Sequence, residues 1–226
     1  MNYGTVAGSH PRVLIVEDHA ILSQSLAMEL RLEGIDDVEL HTEDFSEAAV
    51  LAAVERIGPD VMLLDLHLGE GRLGIPLIAP VKALGASVLM LTASTDRVML
   101  AQCLEAGADG LFNKSKPFDA LVSLVRDAAL GVTVLKPTVR EELLAELREQ
   151  RRESAAAKAP FAELTKREAD VFALVVEGLS ADEIAVRQQV TVATVRSHIQ
   201  SVLRKLGVNS QLAAVALARR AGWTGQ

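Results

Sequence analysis

The sequence lacks several features that would place it in familiar classes of protein. It has one cysteine, Cys103, and no group of cysteines and histidines with zinc-ligand spacing, which excludes a disulfide scaffold and a zinc domain and favours a reducing, cytoplasmic setting. No apolar run reaches the roughly 18 residues of a membrane span, and no signal-peptide pattern is visible, so we expect no membrane partner. A basic excess is also missing: the net charge of −7, taken over the whole chain, argues against binding to nucleic acid.

Aromatic residues are scarce as well, with five Phe, one Trp and one Tyr, whereas 50% of the 226 residues are hydrophobic. The cores must therefore be aliphatic, and the composition is that of a globular protein. The charge is unevenly distributed. Residues 1–136 carry 10 Lys/Arg and 19 Asp/Glu, a net charge of −9, while residues 161–226 carry 8 and 6, a net charge of +2. The charge argument against nucleic acid therefore applies only to the first part of the chain.

Short aliphatic runs alternate with segments of helical periodicity in this first part. The predicted strands are residues 13–16, 38–40, 61–64, 88–91 and 110–112. The segments between them, such as 21–32 and 46–57, carry apolar residues three and four positions apart, which predicts amphipathic helices. Five strands alternating with helices predict an α/β fold with a parallel sheet covered on both faces.

The last third of the chain has no strand pattern and four helical segments, which predicts an all-α domain. Residues 165–168 and 180–183 both fit the capping box, in which a hydroxyl and a Glu three residues later satisfy free N–H groups at a helix start. Gly178 and Gly207 stand where helices should end. A tight turn at 189–191, between the second and third helices, indicates a helix-turn-helix.

Residues 132–160, between the two parts, are predicted to form a helical linker. The segment is rich in Glu, Arg, Ala and Leu, and Pro137 suits the first turn of a helix. Four apolar residues give this helix one side that could pack against a domain or a second chain: Val139, Leu143, Leu144 and Leu147.

Polar residues follow four of the five predicted strands. Glu17 and Asp18 follow the first strand, Asp65 the third, Thr92 the fourth and Lys114 the fifth. Because ligands bind beyond the carboxyl ends of parallel strands, we expect these side chains to share one pocket. Crowded carboxylates repel one another unless a cation lies among them, and hard oxygen ligands suit Mg²⁺. A carboxylate, a metal and a lysine are the parts needed to accept a phosphoryl group as an acyl phosphate.

Residues 12–130 resemble the receiver domain of a two-component response regulator. The motifs that carry the resemblance are Glu17-Asp18-His19, Leu64-Asp65-Leu66, Leu91-Thr92-Ala93, Gly107-Ala108-Asp109-Gly110 and Lys114-Ser115. The resemblance implies a flavodoxin-like fold with strand order 2-1-3-4-5 and phosphorylation of Asp65 by a sensor histidine kinase. Thr92 and Lys114 would contact the phosphoryl group. The implied Mg²⁺ ligands are Asp18, Asp65, the backbone carbonyl of His67 and, directly or through water, Glu17; the rings of His19 and His67 are interpreted as bystanders.

The resemblance has two departures that matter. Many receivers have Pro four residues and Gly eight residues after the phosphoacceptor; here those positions are Gly69 and Leu73, and Gly74 comes one residue late. We expect the loop between them to be longer and more mobile than usual. Leu111 stands where the family usually carries an aromatic ring that takes part in the switch. Phe112 is its neighbour, but adjacent strand residues point to opposite faces, so it cannot simply substitute.

The third helix of the last domain carries polar residues away from its apolar stripe. Arg196, Ser197 and Gln200 are free to face a partner, and Arg and Gln pair bidentately with guanine and adenine edges in the major groove. Arg204 and Lys205 could reach phosphates. On charge alone, the alternative is an ordinary solvated face of a small helical bundle.

Residues 164–223 resemble the LuxR-type helix-turn-helix. The matching motifs are Leu164-Thr165-Lys166-Arg167-Glu168, Gly178-Leu179-Ser180, Glu183-Ile184-Ala185, Thr194-Val195-Arg196-Ser197-His198-Ile199 and Lys205-Leu206-Gly207-Val208. The resemblance implies that the helix 192–206 enters the major groove of double-stranded DNA, with Arg196, Ser197 and Gln200 nearest the bases and Thr194 among the contacts. It also implies that the last helix, around 211–220, can form a homodimer contact.

The combination resembles the NarL/FixJ class of response regulators, and the predicted function is a DNA-binding transcription regulator activated by phosphorylation of Asp65. The predicted parts are a tail (1–11), a receiver (12–131), a helical linker (132–160) and a helix-turn-helix domain (161–226). No enzyme activity is expected beyond self-phosphorylation or dephosphorylation at Asp65.

Two other functions remain open from the sequence. The first is a pseudo-receiver that regulates transcription without phosphorylation, which Leu111 and the altered loop favour. The second is a small phosphohydrolase that uses the same carboxylates; against it, His67 occupies the place of a second catalytic Asp two residues after Asp65.

Overall fold

The computed structural model of the protein describes residues 11–36, 38–41, 43–69 and 71–225, so the predicted tail lies outside the described residues except for its last residue. The chain forms two compact units that divide between Leu147 and Arg148, inside the segment predicted as a linker. Among the described residues, no helix combines the length and the apolar character that a membrane crossing requires.

The first unit alternates strands and helices. Its elements are β1 (Val13–Val16), α1 (Ala20–Leu32), β2 (Val38–His41), α2 (Glu47–Ile57), β3 (Val61–Asp65), β4 (His67–Leu68), β5 (Arg72–Leu73), α3 (Ile75–Ala83), β6 (Ser87–Thr92), α4 (Arg97–Glu105), β7 (Gly110–Asn113) and α5 (Phe118–Ala129). Five strands form one parallel sheet in the order β2-β1-β3-β6-β7. Counted among these five strands alone, the order is 2-1-3-4-5, which confirms the predicted flavodoxin-like fold.

Alternate residues of the central strands enter two different aliphatic cores. In β1, Leu14 and Val16 pack with α2 and α3 on one face of the sheet, while Val13 and Ile15 pack with α1 and α5 on the other. Side chains of a strand point alternately to opposite faces, so a sheet covered on both sides needs apolar residues at every position. Cys103 of α4 is fully buried in the first of these cores, where burial raises the pKa of its thiol to about 11.

A long helix, α6 (Pro137–Lys158), follows the sheet domain and begins at the proline that was predicted in its first turn. Leu143 and Leu147 are buried against Ala101 and Leu104 of α4, so the first half of α6 belongs to the first unit. The predicted apolar side of this helix therefore packs against the domain that precedes it.

The second unit is entirely helical. After a short 3₁₀ turn (Ala159–Glu163), its elements are α7 (Lys166–Glu177), α8 (Ala181–Gln188), α9 (Val192–Lys205) and α10 (Gln211–Ala221). Both predicted capping boxes form, at the starts of α7 and α8. The rings of Phe161 and Phe172 lie 5.3 and 5.0 Å from that of Trp223, the single tryptophan of the chain. This aromatic cluster closes the core of the helical unit.

Candidate functional site

An acidic pocket lies at the carboxyl edge of the parallel sheet. Asp65 is the last residue of β3 and Thr92 the last of β6, while Glu17 and Lys114 directly follow β1 and β7. The parallel register brings these strand ends to one edge, and Glu17, Asp65 and Thr92 are all buried. These polar side chains therefore lie together at one edge of a sheet whose interior is otherwise aliphatic.

Lys114 bridges two carboxylates in this pocket. Its Nζ lies 2.7 Å from Glu17 Oε2 and 2.9 Å from Asp65 Oδ2, and Glu17 is 0% exposed. Burial acts to lower the pKa of Lys114, but its hydrogen bonds to Glu17 and Asp65 outweigh burial and raise the pKa. The lysine therefore stays charged and partly neutralises two buried carboxylates.

The two carboxylate oxygens of Asp18 have different surroundings. Its Oδ2 accepts the backbone N–H of Gly69 at 2.9 Å, whereas its buried Oδ1 accepts no hydrogen bond of good geometry within the described structure. His19 Nδ1 lies 2.9 Å from that oxygen and 3.0 Å from Glu17 Oε1. A buried carboxylate oxygen that accepts no hydrogen bond of good geometry is costly and suits a position for a cation.

Four potential metal-ligand groups lie close together in this pocket. One ligand atom from each of Glu17, Asp18, His19 and Asp65 lies within 4.8 Å of the others. The three carboxylates are hard oxygen donors of the kind that Mg²⁺ prefers, whereas an imidazole suits softer metals. The residues present therefore fit a magnesium ion held by oxygen ligands.

His19 is the member of this cluster that the sequence analysis treats as a bystander. It is the N-cap residue of α1, directly after the acidic pair, and 72% of its side chain is exposed. A hydrogen bond to Glu17, followed by the charge of Asp18, raises its pKa. The sequence feature that could have indicated its place in the cluster is its position immediately after Glu17-Asp18. His67, whose carbonyl is a predicted metal ligand, lies in β4 with its side chain exposed.

Thr92 joins the pocket to the loop that follows β6. Its Oγ1 accepts the backbone N–H of Ser94 at 2.9 Å, and its carbonyl accepts the N–H of Lys114 at 2.8 Å. The threonine is 2% exposed, so its hydroxyl faces the protein interior. A change in the position of this hydroxyl would therefore break or displace its hydrogen bond to Ser94, in the loop leading to α4.

The segment after Asp65 forms a small hairpin that sequence analysis did not predict. β4 and β5 pair antiparallel, and Glu70, between them, lies outside the described residues. Gly74 follows the hairpin and donates its N–H to the carbonyl of Leu66 at 2.9 Å. A Cβ at Gly74 would come within 2.3 Å of the carbonyl oxygen of Asp65, so only glycine fits there. The glycine that comes one residue late thus packs directly on β3 at Asp65; the expected mobility of the loop stays a prediction.

Leu111 and Phe112 face opposite sides of the sheet, as the alternation in a strand requires. Phe112 is buried in the core beneath α1 and α5. Leu111 packs on the other side, both against the core beneath α2 and α3 and against the residues that α6 buries on α4. Phe112 therefore does not occupy the place of the usual aromatic ring.

The second unit presents a helix whose polar side is exposed. Thr191 caps the start of α9, and Gln189 in the preceding turn adopts a left-handed conformation (φ 56°) that closes α8. Val195, Ile199 and Val202 of α9 are buried. The predicted DNA contacts that are exposed on α9 are Thr194, Arg196, Ser197, Gln200 and Arg204.

Lys205, also predicted to contact DNA, is engaged inside the helical unit. Its Nζ lies 2.6 Å from Glu168 Oε2 and donates to the carbonyl of Glu163 at 2.9 Å. Glu168 also accepts the hydroxyl of Ser201 at 2.6 Å and the N–H of Thr165 at 2.7 Å. In this conformation the ammonium of Lys205 joins α9 to α7, and its predicted phosphate contact would require it to leave this network.

The fold and the two sites define a receiver domain joined to a helix-turn-helix unit. Comparison with family models agrees: the response regulator receiver domain matches residues 13–126, and the bacterial regulatory proteins of the luxR family match residues 162–218. The chain is 32% identical over 208 residues to the nitrate/nitrite response regulator protein NarP of Escherichia coli (strain K12), with 91% of this chain and 93% of NarP covered. It is 30% identical over 211 residues to the transcriptional regulatory protein LiaR of Bacillus subtilis (strain 168), with 92% and 97% covered.

Among solved structures, the receiver domain of the response regulator NarL from Mycobacterium tuberculosis matches with a TM-score of 0.48 and 29% identity, covering 55% of this chain and 99% of that one. The matches to family models and curated relatives establish that the chain belongs to the NarL/FixJ family of two-component response regulators. It has a receiver domain and a LuxR-type DNA-binding domain, and its homologues are DNA-binding transcriptional regulators of two-component systems.

Proposed function

We propose that this response regulator is switched by phosphorylation of Asp65 by a sensor histidine kinase. The observation that carries the proposal is the ammonium of Lys114 between Glu17 and Asp65, next to the buried Asp18 oxygen that accepts no hydrogen bond of good geometry. Carboxylates held beside an ammonium form a site for a phosphoryl group and its counter-ion. Self-phosphorylation and dephosphorylation at Asp65 are the only chemistry that we assign to the chain.

The phosphoryl transfer uses a carboxylate oxygen of Asp65 as nucleophile. This oxygen forms a bond to phosphorus while the bond between phosphorus and the histidine nitrogen of the kinase breaks, and the electron pair stays on that nitrogen. Lys114 is close enough to follow the new phosphoryl oxygens, and Thr92 lies at the end of the neighbouring strand to donate its hydroxyl to another. Phosphoryl-Asp65 adds up to about two negative charges at the sheet edge.

Mg²⁺ fits the acidic cluster, and the residues that would hold it are Asp18, Asp65, the backbone carbonyl of His67 and Glu17. When bound, the ion would supply positive charge that offsets the charge of the phosphoryl oxygens. Asp18 is positioned for this role because Gly69 fixes one of its oxygens, while the other accepts no hydrogen bond of good geometry. The repulsion among the carboxylates would otherwise oppose the approach of a phosphate.

The DNA partner is bound through α9. We assign base contacts to Arg196, Ser197 and Gln200, which are exposed on this helix, and backbone contacts to Thr194 and Arg204. Lys205 contributes chiefly by holding α9 on α7. A homodimer formed through α10 would place two recognition helices on half-sites about one helical turn apart. These partners place the protein in the cytoplasm.

Labelling of the full-length protein with a small phosphodonor tests the phosphorylation of Asp65. In the presence of Mg²⁺, wild-type protein should take up a phosphoryl group as an alkali-labile acyl phosphate. Asp65→Asn should abolish that uptake. Undiminished labelling of Asp65→Asn would refute Asp65 as the acceptor. If instead wild type is not labelled and binds its operator equally with and without phosphodonor, the protein is a pseudo-receiver.

A further inference from the structure

The first half of α6 covers the face that α4 and β7 form on the receiver. Leu143 and Leu147 are 3% and 1% exposed and pack with Ala101 and Leu104 of α4. Leu111 of β7 contacts this cluster from the sheet side. The connection before α6 is equally close, because a Cβ on Gly110 would meet Val134 Cγ2 at 2.6 Å. This face of the receiver is therefore occupied by the chain itself.

Polar contacts fix α6 in this position. Arg97, the first residue of α4, donates from Nε and a terminal nitrogen to the two carboxylate oxygens of Glu146, both at 2.7 Å. Arg140 donates to the backbone carbonyls of Leu104 and Ala108, near the end of α4. A bidentate guanidinium–carboxylate pair demands a defined geometry, so it responds to small displacements of either helix.

A chain of hydrogen bonds leads from the phosphoacceptor pocket to the first turn of α4, the helix that begins at Arg97. Thr92 Oγ1 accepts the N–H of Ser94, and Ser94 Oγ accepts the N–H of Asp96 at 3.1 Å. Asp96 caps α4 by accepting the N–H of Val98 at 2.9 Å. Arg97 directly follows the cap residue Asp96 and is the first residue of α4. The position of the Thr92 hydroxyl is thus tied, through one short loop, to the start of α4.

We propose that the Arg97–Glu146 ion pair is a latch that holds α6 on the α4–β7 face and opens when Asp65 is phosphorylated. This inference rests on the proposed function. When Thr92 turns its hydroxyl toward the phosphoryl group, the N–H of Ser94 loses its acceptor, the loop to α4 rearranges, and Arg97 leaves the bidentate geometry. The first half of α6, which precedes the DNA-binding unit in the chain, is then released from the receiver.

The latch accounts for a receiver without the usual aromatic ring. Leu111 has no polar group and is wedged between the sheet core and the residues beneath α6. It supports α6 by packing but has no hydroxyl to follow Thr92. The loop from Thr92 to Arg97 therefore carries the signal along the same face. Because the ion pair is half exposed, it contributes modestly, which suits a contact that must open.

Hydrogen–deuterium exchange of full-length protein tests the latch, with acetyl phosphate and Mg²⁺ as the phosphodonor. Amides of residues 139–147 should exchange about two- to fivefold faster after phosphodonor is added, as expected for loss of a partly exposed ion pair and its packing. Arg97→Ala should show a similar increase without phosphodonor. The exchanged pair Arg97→Glu with Glu146→Arg should restore slow exchange. Arg152→Ala is the matched control, since Arg152 pairs with Glu149 of the same helix at 3.6 Å and with nothing on α4 in the described contacts.

Phosphorylation of Asp65 is followed in the same samples by mobility on a phosphate-affinity gel. If Asp65 is phosphorylated and exchange of residues 139–147 is unchanged, the latch is refuted while the proposed function stands. If Arg97→Ala exchanges no faster than Arg152→Ala, the ion pair does not hold α6 and the inference is likewise wrong. If Asp65 takes up no phosphate, the proposed function fails, and with it the opening of the latch by phosphorylation.

Discussion

Lys205, the last residue of α9, and Glu168 of α7 form an ion pair with 2.6 Å between Nζ and Oε2. Glu168 serves two purposes at once, because its carboxylate also completes the capping box with Thr165 at the start of α7. The hydrogen bonds from Lys205 and then Ser201 lower the pKa of Glu168 to about 2. The polar contacts of Ser201 and Lys205 of α9 with α7 therefore converge on a single carboxylate.

Replacing Glu168 with Gln should lower the free energy of unfolding of the helical unit by about 2 kcal/mol, because Lys205 loses its charged acceptor. Trp223 reports on this unit alone, since it is the single tryptophan of the chain. Denaturant titration of full-length protein, followed by Trp223 fluorescence, measures the change. Glu183→Gln removes the other capping-box carboxylate, which has no lysine among its contacts in the described structure, and should cost less than half as much. Equal losses in the two variants would contradict the role of Lys205.

The same carboxylate sets an acid limit on the helical unit. Because the folded-state pKa of Glu168 is about 2 and its ordinary value is 4.5, its stabilising effect is fully present above 4.5 and is lost as the pH falls through about 2. The denaturant concentration at the midpoint of unfolding, followed by Trp223 fluorescence, should therefore fall with decreasing pH over this range. The fall should be steeper for wild type than for Glu168→Gln. Parallel declines in the two proteins would show that other groups govern the acid transition.

Removing Lys114 should make the receiver dependent on a cation. Lys114→Met leaves Glu17 and Asp65 without the ammonium between them, and breaking such a buried pair should cost about 3 kcal/mol. Mg²⁺ should recover part of this loss, and it should stabilise the variant more than wild type. Calorimetric unfolding in EDTA and in MgCl₂ provides the comparison, with the exposed Lys116→Met as control. A loss that is the same in both buffers would argue against a cation at the cluster.

Substitutions on α9 should separate base recognition from backbone attraction. Arg196→Ala and Gln200→Ala should each weaken binding to the operator by about 1–3 kcal/mol and relax base preference. Arg204→Ala should weaken binding to all sequences similarly. It should also reduce the slope of the logarithm of the binding constant against the logarithm of salt concentration by about one. Fluorescence anisotropy with operator and scrambled DNA over a range of salt concentrations distinguishes these effects. Unchanged base preference in both Arg196→Ala and Gln200→Ala would mean that another surface binds the bases.

The sheet was predictable because its central strands β1, β3 and β6 carry uninterrupted apolar runs, a pattern that a parallel sheet covered on both faces imposes. The structure extends four of the predicted strands by one residue at their carboxyl ends, so that Asp65 and Thr92 end β3 and β6 rather than follow them. The hairpin of β4 and β5 was missed because two-residue strands are too short to show a period. The helix starts at Thr165 and Ser180 were predictable because capping boxes are local in sequence.

The close contacts of the site were predictable only in part. The ends of parallel strands must lie at one edge, so the proximity of Glu17, Asp65 and Lys114 followed from topology. The ion pairs Glu168–Lys205 and Arg97–Glu146 join residues 37 and 49 positions apart, and no periodicity marks such partners. Side chains that look free on a helical projection are therefore engaged in the folded chain.

The burial of Cys103 has a consequence for how this regulator responds to its surroundings. Its side chain is 0% exposed, and with a pKa of about 11 its thiol is almost never ionised at neutral pH. Alkylation, sulfenic acid formation and disulfide exchange all proceed through the thiolate. Oxidants should therefore not act on the protein through Cys103, and a cysteine introduced at an exposed position would be its single reactive thiol.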